Sequence, residues 1–230
     1  MSKSLISIEG LVKRFPMGER EFTALDGVDL KIEKGEFCGL VGPSGSGKTT
    51  ILNIVGSLDI PSEGKVNVLG NDIGTLTAKT AAKLRNKHIG FIFQTYNLLP
   101  VYTVYENVEL PLLLLDYDKA ARDKMIMDAL EWVDLIDKRD SRPSMLSGGE
   151  SQRVAVARAM VKRPEVVLAD EPTANLDSKN SYNILGMMEN INKEIKTTFV
   201  FATHDEKVMK YLKRKISLVD GKIVKDERVK

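Results

Sequence analysis

Gly42-Pro43-Ser44-Gly45-Ser46-Gly47-Lys48-Thr49-Thr50 fits the spacing G-x-x-x-x-G-K-[ST] at every fixed position. Glycines at those places let the backbone turn tightly, so that successive N–H groups point inward at an anion. A helix starting near Lys48 adds the positive end of its dipole. A nucleoside triphosphate suits that pattern, with Lys48 reaching the β- and γ-phosphates and the Thr49 hydroxyl ligating Mg²⁺. Far downstream, Asp170 and Glu171 follow the apolar run Val166-Val167-Leu168-Ala169. Two carboxylates therefore emerge at the C-terminal end of a strand, where open α/β sheets bind ligands. Asp170 is suited to hold Mg²⁺ through water, and Glu171 to polarise an attacking water as general base.

A second anion-binding feature lies between these two. In Met145-Leu146-Ser147-Gly148-Gly149-Glu150-Ser151-Gln152-Arg153, Ser147 and Glu150 form an S-x-x-E capping box at the start of a helix. The box leaves the two glycines unexplained. Bare N–H groups of Gly148 and Gly149 at a helix N-terminus make a second phosphate site, and one molecule rarely needs two for one nucleotide. The second site is expected to serve another subunit.

These groups need a particular frame. Phe37-Cys38-Gly39-Leu40-Val41 is a strand-length apolar run entering the first loop, and Thr50 to Gly56 carries helical spacing out of it. Buried parallel-type strands are predicted at Ile89 to Phe93, Val166 to Ala169 and Thr198 to Ala202, each near a helical pattern. Alternating stretches at Leu5 to Glu9 and Val28 to Ile32 predict antiparallel strands near the amino end. From about 97 to 163 the spacing is helical, notably over Ala120 to Val133 and Glu150 to Val161, which predicts a helical insertion in an α/β core. Ile216 to Val224 reads as a hairpin on the Asp220-Gly221 turn.

Composition agrees with a packed domain: 230 residues at 43% hydrophobic are ample for a core without staples. The lone Cys38 allows no intramolecular disulfide and favours a reducing, intracellular setting. No apolar run approaches about 18 residues, and Met1-Ser2-Lys3-Ser4 leads into a strand pattern rather than a leader, so a cytosolic chain spanning no membrane is expected. A net charge of +2 leaves no electrostatic footprint for nucleic acid. The tail from Lys222 to Lys230 interleaves bases with acids and reads as a solvated end, with contact to anionic lipid headgroups as the alternative.

The phosphate loop, Leu146-Ser147-Gly148-Gly149 and the strand ending in Asp170-Glu171 occur in the order and at the approximate spacings of the ATPase subunit of ABC transporters, which the whole chain resembles. The resemblance implies one domain over 1–230: a nucleotide-binding core with a mixed central sheet and an antiparallel β portion at 1–96 and 164–230, and a helical part at 97–163. It implies that Gln94 touches Mg²⁺ and relays to a membrane partner, that Ala174-Asn175-Leu176-Asp177 crosses a dimer interface, and that His204 contacts the γ-phosphate. Phe15 resembles the family's aromatic that stacks on adenine, with Phe22 as the rival; base stacking is worth ~1–3 kcal/mol and needs no hydroxyl. The family's signature usually ends in Gln where this chain has Glu150. A carboxylate there would repel a γ-phosphate unless turned back onto the Ser147 backbone N–H, as the capping box requires.

Asn97 to Val108 and Leu168 to Asp177 resemble the lipoprotein-release and macrolide-export branch, which includes a cell-division member. That implies an ATP- and Mg²⁺-dependent homodimer on the inner face of the cell membrane, driving an integral permease subunit. The same motor would serve a complex that only transmits force to cell-wall enzymes. Soluble ABC ATPases acting on DNA or ribosomes call for a long coiled coil or for two cassettes, and neither is expected in 230 residues.

Overall fold

A computed structural model describes residues 4–18 and 20–229. Met1-Ser2-Lys3, on which the reading of the amino end rests, and Lys230 of the basic tail lie outside the described residues.

The chain opens with a long hairpin, β1 (Ile6–Met17) and β2 (Arg20–Ile32), whose register pairs Ile6 with Ile32 and Phe15 with Phe22. Both strands run well beyond the predicted stretches. Register shifts between Ile8 and Arg14 break the alternation that a sequence reader follows, while the pairing continues past them. After β3 (Phe37–Val41) and α1 (Lys48–Val55) come β4 (Glu63–Val68) and β5 (Asn71–Asp72), which complete an antiparallel sheet in the order β2-β1-β4-β5. Then α2 (Ala78–His88) leads into β6 (Ile89–Ile92).

The second sheet adds β7 (Val166–Asp170), β8 (Thr198–Thr203), β9 (Arg214–Val219) and β10 (Lys222–Arg228), in the order β10-β9-β3-β8-β7-β6. It is parallel from β9 to β6 and antiparallel only at β10. Asp220 and Gly221 both take positive φ, 47° and 76°, at the β9–β10 turn, as a two-residue hairpin turn requires. The tail, read as a solvated end, forms an edge strand whose side chains remain largely exposed. Arg214 pins it by donating to both carboxylate oxygens of Asp226, at 2.7 and 2.6 Å.

Between β6 and β7 the described residues hold helices and no strand: α3 (Val104–Glu109), α4 (Lys119–Trp132) and α5 (Gly148–Met160). Two more, α6 (Ser178–Ile195) and α7 (Glu206–Tyr211), link β7 to β8 and β8 to β9. Side chains alternate across the parallel sheet and divide the core in two. Phe37, Val167, Ala169, Phe199 and Phe201 face α3 to α6, whereas Cys38, Leu40, Val166, Leu168, Val200 and Ala202 face α1 and the antiparallel sheet. On the first face the Phe37 and Phe201 rings meet with centroids 4.8 Å apart. Phe201→Ala should therefore lower the unfolding free energy by about 3–5 kcal/mol, read as a shift of the urea midpoint; a midpoint that does not move would mean that this face repacks without cost.

Candidate nucleotide-binding site

Strand β3 is buried along its length and delivers the chain to Gly42. There φ is 153° and a Cβ would lie 2.1 Å from the Leu218 carbonyl oxygen, so no side chain fits. Gly47, with φ 102°, precedes α1 as a cap without a side chain, leaving the first N–H groups of that helix uncovered by any capping side chain. Lys48 is 6% exposed, and its Nζ donates to the carbonyls of Gly42 and Pro43, each at 2.8 Å. Burial lowers its pKa, and the carboxylates of Glu171 and Asp170 oppose that shift. From behind, Gly221 N–H donates to Ser46 O at 3.1 Å, which braces the loop with the β9–β10 turn.

Thr49 Oγ1 donates to Asp170 Oδ1 at 3.2 Å, joining the start of α1 to the end of β7. Burial raises the Asp170 pKa and neighbouring Glu171 adds to the rise, while Thr49 and Lys48 act against it. Glu171 takes φ 44°, a left-handed conformation that costs a residue with a side chain about 1–3 kcal/mol. Its carboxylate is tied to the end of β8: Oε2 accepts from Thr203 Oγ1 at 3.0 Å, and Oε1 accepts from His204 N–H at 3.2 Å and lies 2.6 Å from His204 Nδ1. The cap of α7 is Asp205, which accepts from Lys207 N–H at 2.8 Å, so His204 is left to Glu171.

Gly47, Lys48, Thr49, Asp170, Glu171 and His204 line an open cavity of about 530 Å³ together with Phe15, Phe22, Ser44, Gly45, Thr50 and Gln94. The two rival aromatics are cross-strand partners, 37% and 52% exposed, so both rings border the same space. The Gln94 carbonyl accepts from Asn175 Nδ2 at 2.9 Å, which fixes the Gln94 segment to the loop between β7 and α6.

Ser147, Gly148, Gly149 and Glu150 are not part of that cavity. Ser147 Oγ accepts from Glu150 N–H at 3.2 Å and Glu150 Oε2 accepts from Ser147 N–H at 2.7 Å, forming the expected capping box. The Ser147 backbone N–H, with lesser help from its hydroxyl, holds the Glu150 carboxyl below the usual carboxylate range. Ser147 and Gly148 are exposed. Gly149 is buried, and a Cβ on it would lie 2.8 Å from Asn180 Oδ1, so this glycine has a packing reason within its own chain that sequence reading did not supply. Sequence reading also missed Thr203 and Gln152. The first precedes His204 at the end of β8, and the second, one helical turn past Gly148 on a largely buried helix, reads as an interior-facing position.

The family model described as ABC transporter matches residues 25–174. The lipoprotein-releasing system ATP-binding protein LolD of Bacteroides fragilis is 41% identical over 220 residues, covering 96% of this chain and 100% of that protein. The macrolide export ATP-binding/permease protein MacB of Rhodopirellula baltica is 43% identical over 227 residues, and here the chain spans about a third of its relative's length. Among solved structures, the ATP-binding cassette MJ0796, as a dimer in a post-hydrolysis state bound to ADP and Pi, superposes with a TM-score of 0.90 at 39% identity, covering 98% and 99% of the two chains.

The turned-back Glu150 generates an expectation with two readouts. A glutamine can still accept from Ser147 N–H, so Glu150→Gln should keep steady-state phosphate release within about threefold. A carboxyl whose pKa is depressed in the folded chain contributes stability above its unfolded pKa of about 4.3, and that contribution is lost as pH falls through the folded value. The variant should accordingly show a shallower loss of stability on the acid side in urea titrations at several pH values. A tenfold rise in turnover would mean instead that the carboxylate faces the phosphate.

Proposed function

The chain belongs to the ABC transporter family as an ATP-binding cassette, an ATPase domain, and from that premise we propose that ATP joins two copies of it head to tail. The triphosphate rests on Gly42 to Thr50 of one copy and is covered by Ser147, Gly148 and Gly149 of the other. One observation carries the reading: Phe15, Lys48, Thr49, Gln94, Asp170, Glu171 and His204 line one cavity, whereas Ser147 and Gly148 of the second helix N-terminus stand exposed outside it. In this reading Phe15 stacks on the base, Lys48 supplies positive charge to the phosphates, and His204 orients Glu171 and reaches the γ-phosphate. Glu171 takes the proton of the attacking water.

The Thr49 hydroxyl and the Asp170 carboxylate, already 3.2 Å apart, are hard oxygen donors of the kind Mg²⁺ takes beside substrate phosphates. They would hold that ion, with Gln94 as a third donor. Bound there, it would neutralise charge developing on the phosphates. The division into a core at 1–96 and 164–230 and a helical part at 97–163 belongs to the same proposal, supported by the absence of strands between β6 and β7 among the described residues.

ATP closes the pair and hydrolysis releases it, because the two states bind nucleotide differently. An integral permease subunit is the proposed recipient of that motion, with the chain peripheral on the cytoplasmic face of the cell membrane; no described helix is long and apolar enough to cross one. Behind the Gln94 segment, Phe91, Phe93, Pro111 and Leu114 line an apolar groove of about 510 Å³. Arg85 and Lys162 border it with their charges directed at backbone carbonyls, and burial lowers the Lys162 pKa to about 8. Affinity purification from native membranes should recover an integral protein with few membrane helices and a large external domain; recovery of ribosomes or DNA would overturn the membrane reading.

Glu171→Gln should bind ATP-Mg²⁺ yet hydrolyse it at least ~10²-fold more slowly, the scale of a lost general base. It should run as a dimer on size exclusion with ATP and as a monomer without it. Adding Ser147→Arg should return it to a monomer even with ATP, because the bulky side chain blocks the covering half-site and leaves the phosphate loop untouched. A single variant that stays monomeric at saturating ATP and tens of micromolar protein would refute closure by the isolated domain.

A further inference from the structure

A left-handed backbone at a residue with a side chain persists only where its surroundings over-determine it. At Glu171 two constraints come from its own neighbourhood: its N–H donates to Ala202 O at 2.9 Å, and its carbonyl accepts from Ala174 N–H at 3.2 Å. Pro172 follows at once and has a locked φ of its own. A further constraint arrives from a different element. Gln152 of α5 is 0% exposed, and its Nε2 donates to Pro172 O at 2.7 Å. Its Oε1 is buried with no hydrogen-bond partner among the described residues. An amide is an unfavourable way to fill an apolar interior when one end of it goes unpaired. What distinguishes it from a methionine of similar size is the single directional bond to the carbonyl next to Glu171.

We propose that Gln152 is a positioning residue for Glu171: it holds the Pro172 carbonyl and thereby keeps the carboxylate aimed into the cavity. Helix α5 begins at the capping box that presents Ser147 and Gly148, so the same rigid element joins the exposed N-terminus to the backbone of Glu171. Arg158, further along α5, donates to Tyr96 O and Asn97 O at 2.6 and 2.5 Å and fixes the segment after Gln94 to that element as well. The seating of a second copy on the α5 N-terminus thus bears on the general base through Gln152. The inference rests on the reading of Glu171 as that base.

The test is a double-mutant comparison with a binding control. Gln152→Met should lower kcat for ATP by at least ~10-fold, the scale of a small misplacement of a catalytic group. KM and the ATP dissociation constant should stay within about twofold, since the phosphate loop is untouched. In a Glu171→Gln background the same change should lower the residual single-turnover rate by less than about twofold, because a residue acting through Glu171 has nothing further to lose. Gln152→Glu supplies the rescue. Its protonated carboxyl can donate to Pro172 O and its ionised form cannot, so its rate relative to the unsubstituted chain should rise as pH falls. An unchanged kcat in Gln152→Met, equal losses in both backgrounds, or a parallel loss of ATP affinity would each overturn the proposal. Should Gln152→Met fail to fold, a flat pH ratio for Gln152→Glu overturns it and a rising one supports it. If Glu171→Gln itself hydrolyses ATP normally, the base assignment is what has failed, and that result is separate from all of these.

Discussion

The parallel pairing of three strands governs everything at the site. With Val41 level with Thr203 and Asp170 level with Ala202, the carboxyl ends of β3, β8 and β7 finish along one edge of the sheet. The phosphate loop, the Asp170-Glu171 pair and the Thr203-His204 pair therefore leave their strands side by side, although they come from three distant parts of the chain. Short side chains then suffice to link them: Thr203 and His204 reach Glu171 between the adjacent exits of β8 and β7, and Thr49, on the helix that follows the phosphate loop, reaches across to Asp170. A one-residue slip in any of the three strands would turn its buried side chains to the opposite face, so the core that fills both faces also fixes the site's geometry.

That same logic explains which parts were legible in the sequence. The strand Phe37 to Val41 and the helix from Lys48 could be read because a continuous apolar run, a glycine loop and a helical stripe are local signals. Helix α2 carried no such signal, since Leu84 is its one buried residue and no apolar stripe forms. The strand β4, with only Val66 and Val68 buried, was equally silent. The hairpin ran further than expected because its bulges disguise the alternation. At the site, residue types at loop spacings announced the phosphate cradle and the acid pair. The bonds from Thr203 and Gln152 to the Glu171 segment could not be read, because they join residues that only the sheet and the packing of α5 bring together.

Glu150 illustrates how local and remote requirements meet in one side chain. A carboxylate at the start of α5 is favourable to the helix, which gains a backbone partner and a negative charge near its positive end. It is unfavourable to an incoming anion unless its charge is already committed. The bond to Ser147 N–H and the proximity of Lys138, at 3.9 Å, commit it. A departure from the glutamine that the resemblance leads one to expect is thereby accommodated by a capping box that leaves Ser147 and Gly148 exposed at the start of α5.

The phosphate loop leans on the β9–β10 turn, through Gly221 N–H to Ser46 O and through the close approach of Leu218 O to Gly42. A chain emerging from the ribosome amino end first displays the loop's residues early, but the hairpin that stands behind them is synthesised far later. Pairings of such long sequence separation close slowly and wait for the intervening chain. During translation the loop consequently exists as a sequence well before it exists as a shaped cradle. Competence to hold nucleotide comes with the last strands rather than the first.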